Sequence, residues 1–315
     1  MNNKQLKILI TGGAGYIGSV LTPYLLSEKF QVTVIDNFKF QENSLALCCN
    51  NKNFSIINDD VRNEKLLKKL VKEHDIIIPL AAIVGAPLCE IDKNLAYEIN
   101  VLQIQHIIES ASNINKIIIP VTNSGYGIGK EGVYCDENSP LNPISHYGKT
   151  KVEAENLLKI YGNFVSLRLA TVFGCSPRMR VDLLVNDFVH RAYKDKFIVL
   201  FESHFKRNYI HIKDICRAIL HSINNYDKMK GESFNVGLSN ANLSKKELCV
   251  KIKTHIKDFH IYESDIAKDP DQRNYIVSNE KIEKTNWAPL YDLDFGIQEL
   301  IKMYSYLQTS NYKNY

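Results

Sequence analysis

The sequence predicts an α/β protein, a doubly wound parallel sheet carrying a smaller mixed α/β lobe, and three observations predict it. Short, continuously apolar β-branched runs alternate with longer amphipathic stretches through the first 170 or so residues. A glycine-rich string follows the first of these runs directly. The rhythm then changes after about residue 175. Strands that are apolar throughout and separated by helices indicate a parallel sheet covered on both faces.

Taken in order, "LKILIT" (6–11) reads as a strand and 16–29 as a helix. "VTVID" (32–36), "FSIIN" (54–58), "DIIIPLAA" (75–82), "KIIIPVT" (116–122) and "FVSLRLA" (164–170) follow as strands, with helical patterns between most of them, including 91–111 and 147–161. The apolar run from Ile76 to Cys89 is too short to span a bilayer, and Pro79, Gly85 and Pro87 break it. It reads as a buried strand and the loop after it. Beyond 175, Pro177, the run Phe197 to Phe201, a helix over 213–224 and a Lys-rich segment near 244–257 suggest the second lobe.

The chain has 315 residues, 45% hydrophobic and 23% charged, enough for one large core or a core with an appended lobe. Its formal charge of +4 is mild, and Lys and Glu are interspersed. A nucleic-acid binder carries a denser basic stripe, so no nucleic-acid partner is expected. The seven cysteines (48, 49, 89, 135, 175, 216 and 249) form no CxxC pair and have no His at metal spacing. No metal site is expected, and the odd count suits a reducing cytoplasm. The first strand begins almost at residue 1, leaving no room for a signal peptide, and no segment suits a membrane.

"TGGAGYIG" places Gly12, Gly15 and Gly18 between a strand and a helix. Glycines there let the backbone turn tightly and approach a pyrophosphate, whose charge sits at the helix N-terminus. Tyr16 and Ile17 complete that loop. Asp36 ends the second strand, where a carboxylate accepts hydrogen bonds from a ribose and repels a 2′-phosphate. This points to NAD over NADP, with Asn37 beside it, although a strand-end Asp also serves as a turn former. Asp60 and Val61 after the third strand suit the adenine edge. The Rossmann domain that binds NAD is then expected over 1–175, with parts of 205–240 interleaved, and the second lobe over 176–315.

"YGKTK" sets Tyr147 and Lys151 one helical turn apart on the same face. A phenol with a pKa of about 10 is a poor base at neutral pH. A nearby ammonium and a positive nicotinamide both favour phenolate, which brings the group toward a useful range. The plain alternative for the pair is an exposed helix face.

With these motifs the whole chain resembles the extended short-chain dehydrogenases/reductases that act on nucleotide sugars. The family places a Ser or Thr four residues before a Tyr-Gly pair, and here "TNSGYG" puts Thr122 before Tyr126-Gly127. The resemblance implies that Thr122 bonds the reacting sugar hydroxyl, Tyr147 takes its proton, and Lys151 orients the ribose and tunes Tyr147. Ser124 competes with Thr122 for the same role. "LAA" (Leu80, Ala81, Ala82) resembles the family's loop under the cofactor, with Pro79 in place of its frequent His. "RNYIHIKD" and "DPDQRNYIVSNEKIEKTNW" resemble segments whose arginines, here Arg207 and Arg273, reach the substrate's diphosphate. Arginine suits phosphate through its planar fork, while a surface salt bridge is the bland alternative.

Three reactions of that family begin with oxidation at C4: 4-epimerisation, 4,6-dehydration and simple dehydrogenation. Dehydratases follow the Thr with Asp-Glu, whereas Asn123-Ser124 stand here, which disfavours dehydration. "LAAIVGAPLC", "TNSGYGIG", "RLATVFGCSPRMRVDLLVNDF" and "DKFIVLFESHFKRNYIH" resemble the subgroup that oxidises GDP-D-glycero-α-D-manno-heptose at C4 for capsular heptose synthesis. The expected substrate is therefore a nucleoside-diphosphate sugar, GDP-heptose first. Val84, Ser124, Thr171, Arg178, Met179, Arg180, Asn186, Arg207 and Arg273 are expected around it. A 4-epimerase or tyvelose-type 2-epimerase is the enzymatic alternative. A dinucleotide-binding regulator is the non-enzymatic one, against which the intact Thr122, Tyr147 and Lys151 weigh. Dimerisation through the 91–111 and 147–161 helices is also expected from the family.

Overall fold

The structure is a computed structural model that describes residues 5–40, 43–266 and 272–307. Seven strands form the main sheet: β1 (Lys7–Thr11), β2 (Gln31–Asp36), β3 (Phe54–Asn58), β4 (Ile76–Pro79), β5 (Lys116–Thr122), β6 (Phe164–Leu169) and β7 (Glu232–Val236). All pair in parallel, in the order β7-β6-β5-β4-β1-β2-β3. The central strands are buried at nearly every position because helices cover both faces, which is why they read as unbroken apolar runs. The chain winds outward from β1 in one direction through β2 and β3 and in the other through β4. The loops after β1 and β4 therefore part, opening a cleft at the C-terminal ends of the strands.

Helix α1 (Gly18–Ser27) starts under that cleft, and α2 (Glu64–Glu73) and α3 (Gln103–Ser110) cover the sheet further along. Helix α4 (His146–Tyr161) is capped by Ser145, whose hydroxyl accepts from Gly148 N at 3.1 Å, and ends at Gly162 with φ +83°. That left-handed conformation favours glycine.

Two expected elements differ in the structure. The fourth strand stops at Pro79 rather than Ala82, and the apolar run after it is a short loop followed by a helix over Ala86–Ile91. The 91–111 helix is broken into Lys93–Tyr97, a π-helical turn over Glu98–Leu102, and α3. The apolar pattern there is helical throughout, but buried Asn100 and Gln103 have partners that a straight helix would not meet.

β4 accompanies β5 only at Ile76↔Lys116 and Ile77↔Ile117, while β6 follows β5 as far as Thr122. Pro120, with no N–H to give, lies where β4 no longer runs beside β5, and there it lines the cleft. A separate three-stranded sheet joins Thr171–Phe173, Lys206–His211 and Asn242–Ser244. The chain then returns as β7 to the edge of the main sheet, beside β6. Among the described residues no helix is long and apolar enough to cross a membrane.

A buried ion pair fixes α4 to the sheet. Arg168 on β6 donates from Nε and Nη2 to Glu155 at 3.1 and 2.8 Å, and both side chains are 2% exposed. Removing one member of such a pair strands a charge out of water. Glu155→Ala is expected to lower stability by about 3–5 kcal/mol in urea denaturation. The double replacement of Glu155 and Arg168 by Leu and Met is expected to recover part of that loss. A single variant as stable as the wild type would contradict this account.

Candidate active site

A cavity of about 540 Å³ occupies the cleft, with glycine-loop residues at one end and the start of α4 at the other. Gly12 has φ +69°, and a Cβ there would stand 2.5 Å from the Ala81 backbone nitrogen, so the first and fourth loops meet only because this residue is glycine. A Cβ on Gly18 would likewise stand 2.5 Å from Gly13 Cα. No side chain caps α1 at Ile17, so its first turn is left open toward the cavity that Gly15, Tyr16, Ile17 and Gly18 line. Asp36 lines the same end, and its carboxylate accepts from Ala14 N and Phe38 N, both at 2.9 Å. It thus secures the glycine loop as well as facing the cavity, and burial raises its pKa. Asn37, Asp60 and Val61 also line this end. Asn37 donates to Asp60 at 3.0 Å, and Arg62 holds the Asp60 carboxyl down at about 2. Leu80, Ala81, Ala82 and Val84 line the cavity on the loop after β4.

Thr122, Ser124, Tyr147, Lys151, Thr171, Arg178, Arg180 and Arg273 line the cavity as well. Thr122 is near enough to Tyr147 to lower its phenol, and Thr122 Oγ1 lies 2.9 Å from Ser124 Oγ. Arg273 donates to the same Ser124 hydroxyl. Without cofactor, burial pushes the Tyr147 phenol up to about 12, the reverse of the expected direction. The Arg273 and Arg180 guanidinium groups and the Thr122 hydroxyl pull it down, but desolvation outweighs them. Lys151 is pushed down to about 8 by burial, with the Cys89 thiol opposing.

Three expected substrate residues do not reach the cavity. Met179 is 1% exposed and packs in the core. Asn186 is buried, donating to Tyr16 Oη and Arg180 O and accepting from Gly174 N. Its amide is spent on Tyr16 and on the backbone of the segment after β6. Arg207 stands behind the wall, 5.6 Å from the ring centre of Tyr275, which itself lines the cavity. The first part of the late segment, 269–271, lies outside the described residues, while Arg273 is within them.

Sequence reasoning missed the supports. Asn100 accepts from Ile83 N at 2.9 Å and donates to Ile83 O at 3.1 Å and to Thr150 Oγ1 at 3.0 Å. Gln103 accepts from Thr11 at 2.6 Å and donates to Ala81 O at 3.0 Å. The signal was two amides three residues apart on the apolar face of "EINVLQIQHII", since buried polar groups need partners. Ser145, Lys39, Phe40 and Tyr275 line the cavity without having been singled out.

A model of the NAD dependent epimerase/dehydratase family matches residues 8–237. The chain belongs to that family. It is 27% identical to a putative UDP-glucose 4-epimerase of Methanocaldococcus jannaschii, over 93% of this chain and 97% of the relative. It is 26% identical to the CDP-paratose 2-epimerase of Salmonella typhi, over 94% and 98%. Its fold matches the UDP-glucuronic acid 4-epimerase of Bacillus cereus, solved with UDP-glucuronic acid and NAD, at a TM-score of 0.84 and 24% identity, over 95% of this chain and 99% of that one.

As a member of the NAD dependent epimerase/dehydratase family, the protein takes NAD, and the residues at hand fit it. An uncapped helix N-terminus faces the place for a diphosphate, and a carboxylate stands at the end of β2 for a ribose.

The buried lysine has a measurable consequence. Its pKa of about 8 lies below the ordinary 10.5, so between those values the unfolded chain binds the extra proton and stability rises with pH. The penalty is full below about pH 8 and gone above about pH 10.5. Lys151→Met keeps the stem and removes the charge. It is expected to stabilise the cofactor-free protein by on the order of 2–3 kcal/mol at neutral pH, shrinking toward zero near pH 10.5. Urea denaturation at several pH values checks this, and a gain that did not change with pH would contradict it.

Proposed function

We propose that the protein oxidises C4 of a nucleoside-diphosphate sugar. The observation that carries this reading is that Tyr147, Lys151 and Thr122 line the same cavity as the glycine loop. NAD, when bound, supplies the acceptor for the hydride that leaves C4. Tyr147 Oη takes the proton of the C4 hydroxyl, and Thr122 holds that oxygen, with Ser124 as the alternative hydroxyl. Burial alone leaves Tyr147 protonated. Arg180 and Arg273 work toward the phenolate, and a positive nicotinamide ring acts in the same sense. Lys151 orients the ribose, and Arg273 meets the substrate's diphosphate.

The finer reading is net oxidation of GDP-D-glycero-α-D-manno-heptose to its 4-keto form, for capsular heptose synthesis. Its support is the resemblance of residues 80–89, 122–129 and 168–211 to that subgroup. The acidic residues lining the cavity, among those described, are Asp36 and Asp60, both at the cofactor end. No carboxyl pair stands beside Tyr147 there to eliminate water. The second reading is epimerisation, at C4 or C2, favoured by the similarity to the M. jannaschii and Salmonella proteins.

Product mass separates these readings. With GDP-heptose and an acceptor that regenerates NAD, the expected product is two hydrogens lighter than the substrate. An isomer of unchanged mass would identify an epimerase, and a product lighter by water a dehydratase. Tyr147→Phe is expected to lower kcat by about 10²–10⁴-fold while still binding NAD. Near-normal turnover in that variant would remove Tyr147 from the reaction.

All seven cysteines are unpaired, which supports a reducing, cytoplasmic setting. A homodimer through α3 and α4 is the proposed assembly. Ile104, Ile107, Ala154 and Leu158 are spent inside the subunit, so that face offers mainly polar side chains, with Ile160 85% exposed at its end. Light scattering is expected to give twice the 36.1 kDa of one chain, and a monomer at working concentration would refute it.

A further inference from the structure

The segment after β6 lies across the glycine loop, and its contacts fix which end of the cavity each arginine serves. Tyr16 Oη donates to Gly174 O at 2.6 Å, and Ser176 Oγ donates to Tyr16 O at 2.7 Å. Ser176 Oγ and Ser19 Oγ are 2.8 Å apart, and Arg178 N donates to Ser19 Oγ at 3.3 Å. Ser19 follows Gly18, so Arg178 is anchored on the first turn of α1. Its guanidinium turns back, with Nη1 donating to Met179 O at 2.6 Å, and lies 3.9 Å from the ring centre of Phe40. Phe40 stands four residues past Asp36, on the loop after β2, and both partners of the stack line the cavity. The stack therefore joins the α1 N-terminus, where a diphosphate sits, to the β2 loop, where a ribose sits. Arg180, two residues on, is near enough to Tyr147 to lower its phenol. The segment thus runs from the adenosine end, at Arg178, to the reaction centre, at Arg180.

We propose that Arg178 and Phe40 form a clasp over the ADP-ribose half of bound NAD, making Arg178 a cofactor residue and not a ligand of the sugar nucleotide. The proposal rests on the NAD site and is independent of the C4 reading. A buried guanidinium lends its positive charge to a diphosphate while its face stays stacked on a phenyl ring. Arg178 is 2% exposed and Phe40 41%, so Phe40 forms the outer surface of the clasp. NAD leaves only after the stack opens, and the clasp sets the rate of release. The sugar end is marked by other groups, Thr122, Ser124, Tyr147 and Arg273, which meet one another.

The test loads the holoenzyme with NADH, traps it with excess NAD, and follows the loss of bound NADH fluorescence. Phe40→Ala and Arg178→Met are each expected to speed release about tenfold. Binding of GDP or UDP, whichever the wild-type holoenzyme takes in calorimetry, is expected to stay within about twofold. Because Arg178 is buried, its variant is first checked by thermal unfolding. If it does not fold, Phe40→Ala decides, since that residue is on an exposed loop. Unchanged NADH release in Phe40→Ala overturns the proposal. So does a release rate unaltered in a folded Arg178→Met that binds the nucleoside diphosphate more weakly. A wild type that holds no NADH would instead undo the NAD site itself.

Discussion

Asn100 lies in a π-helical turn with its amide out of water, and its polar atoms are satisfied by two segments at once. One is the backbone of Ile83, on the loop lining the cofactor end. The other is Thr150, between Tyr147 and Lys151 on α4. An unpaired buried amide costs free energy comparable to a lost hydrogen bond, so the two segments are held in mutual register by the same requirement. Gln103 repeats the device one turn on, tying Thr11 of β1 to Ala81. The π turn presents Asn100 inward, with Gln103 just beyond it at the start of α3, and such turns recur at functional sites. From the other side, Arg168 and Glu155 pull α4 onto β6. Tyr147 is thereby positioned by buried polar contacts, while the apolar core supplies most of the cohesion.

The cavity's acidic residues, among those described, are confined to one end, at the end of β2 and after β3, where neutral ribose and adenine groups would offer donors. Arg62 and Lys39 stand at that same end, while Arg178, Arg180 and Arg273 come from the segment after β6 and from the late segment, where diphosphates would lie. Burial works against both members of the Tyr147–Lys151 pair, raising the phenol and lowering the ammonium. Burial by itself therefore does not favour the phenolate, which a positive nicotinamide would.

Much of this was legible in the sequence, for a physical reason. Strands buried on both faces must be apolar throughout, so "KIIIPVT" coincides with β5 residue for residue, and "FSIIN" coincides with β3 although that edge strand has no buried position. Glycines that permit close backbone contact cannot be disguised, and Gly12 against Ala81 is the clearest case. What escaped depends on tertiary partners. The break in the 91–111 helix follows from where Ile83 and Thr150 lie, which local periodicity does not encode. Met179, Asn186 and Arg207 share segments with cavity residues, but alternation along the chain turns them into the core, toward the backbone of the segment after β6, or behind Tyr275. The direction of the Tyr147 shift depended on a burial that no spacing of residues reports.

The return of the chain as β7 bears on how the molecule is made. β6 is buried at all six of its positions, and among the described residues its outer edge is closed by Glu232–Val236. During synthesis that edge stays open while the intervening part of the second lobe emerges, an apolar template with unpaired backbone groups. A chain cut near residue 175 would keep the glycine loop, Tyr147 and Lys151, yet expose that template permanently. Completion of the main sheet therefore waits on residues that the chain reaches only after most of its second half has been made.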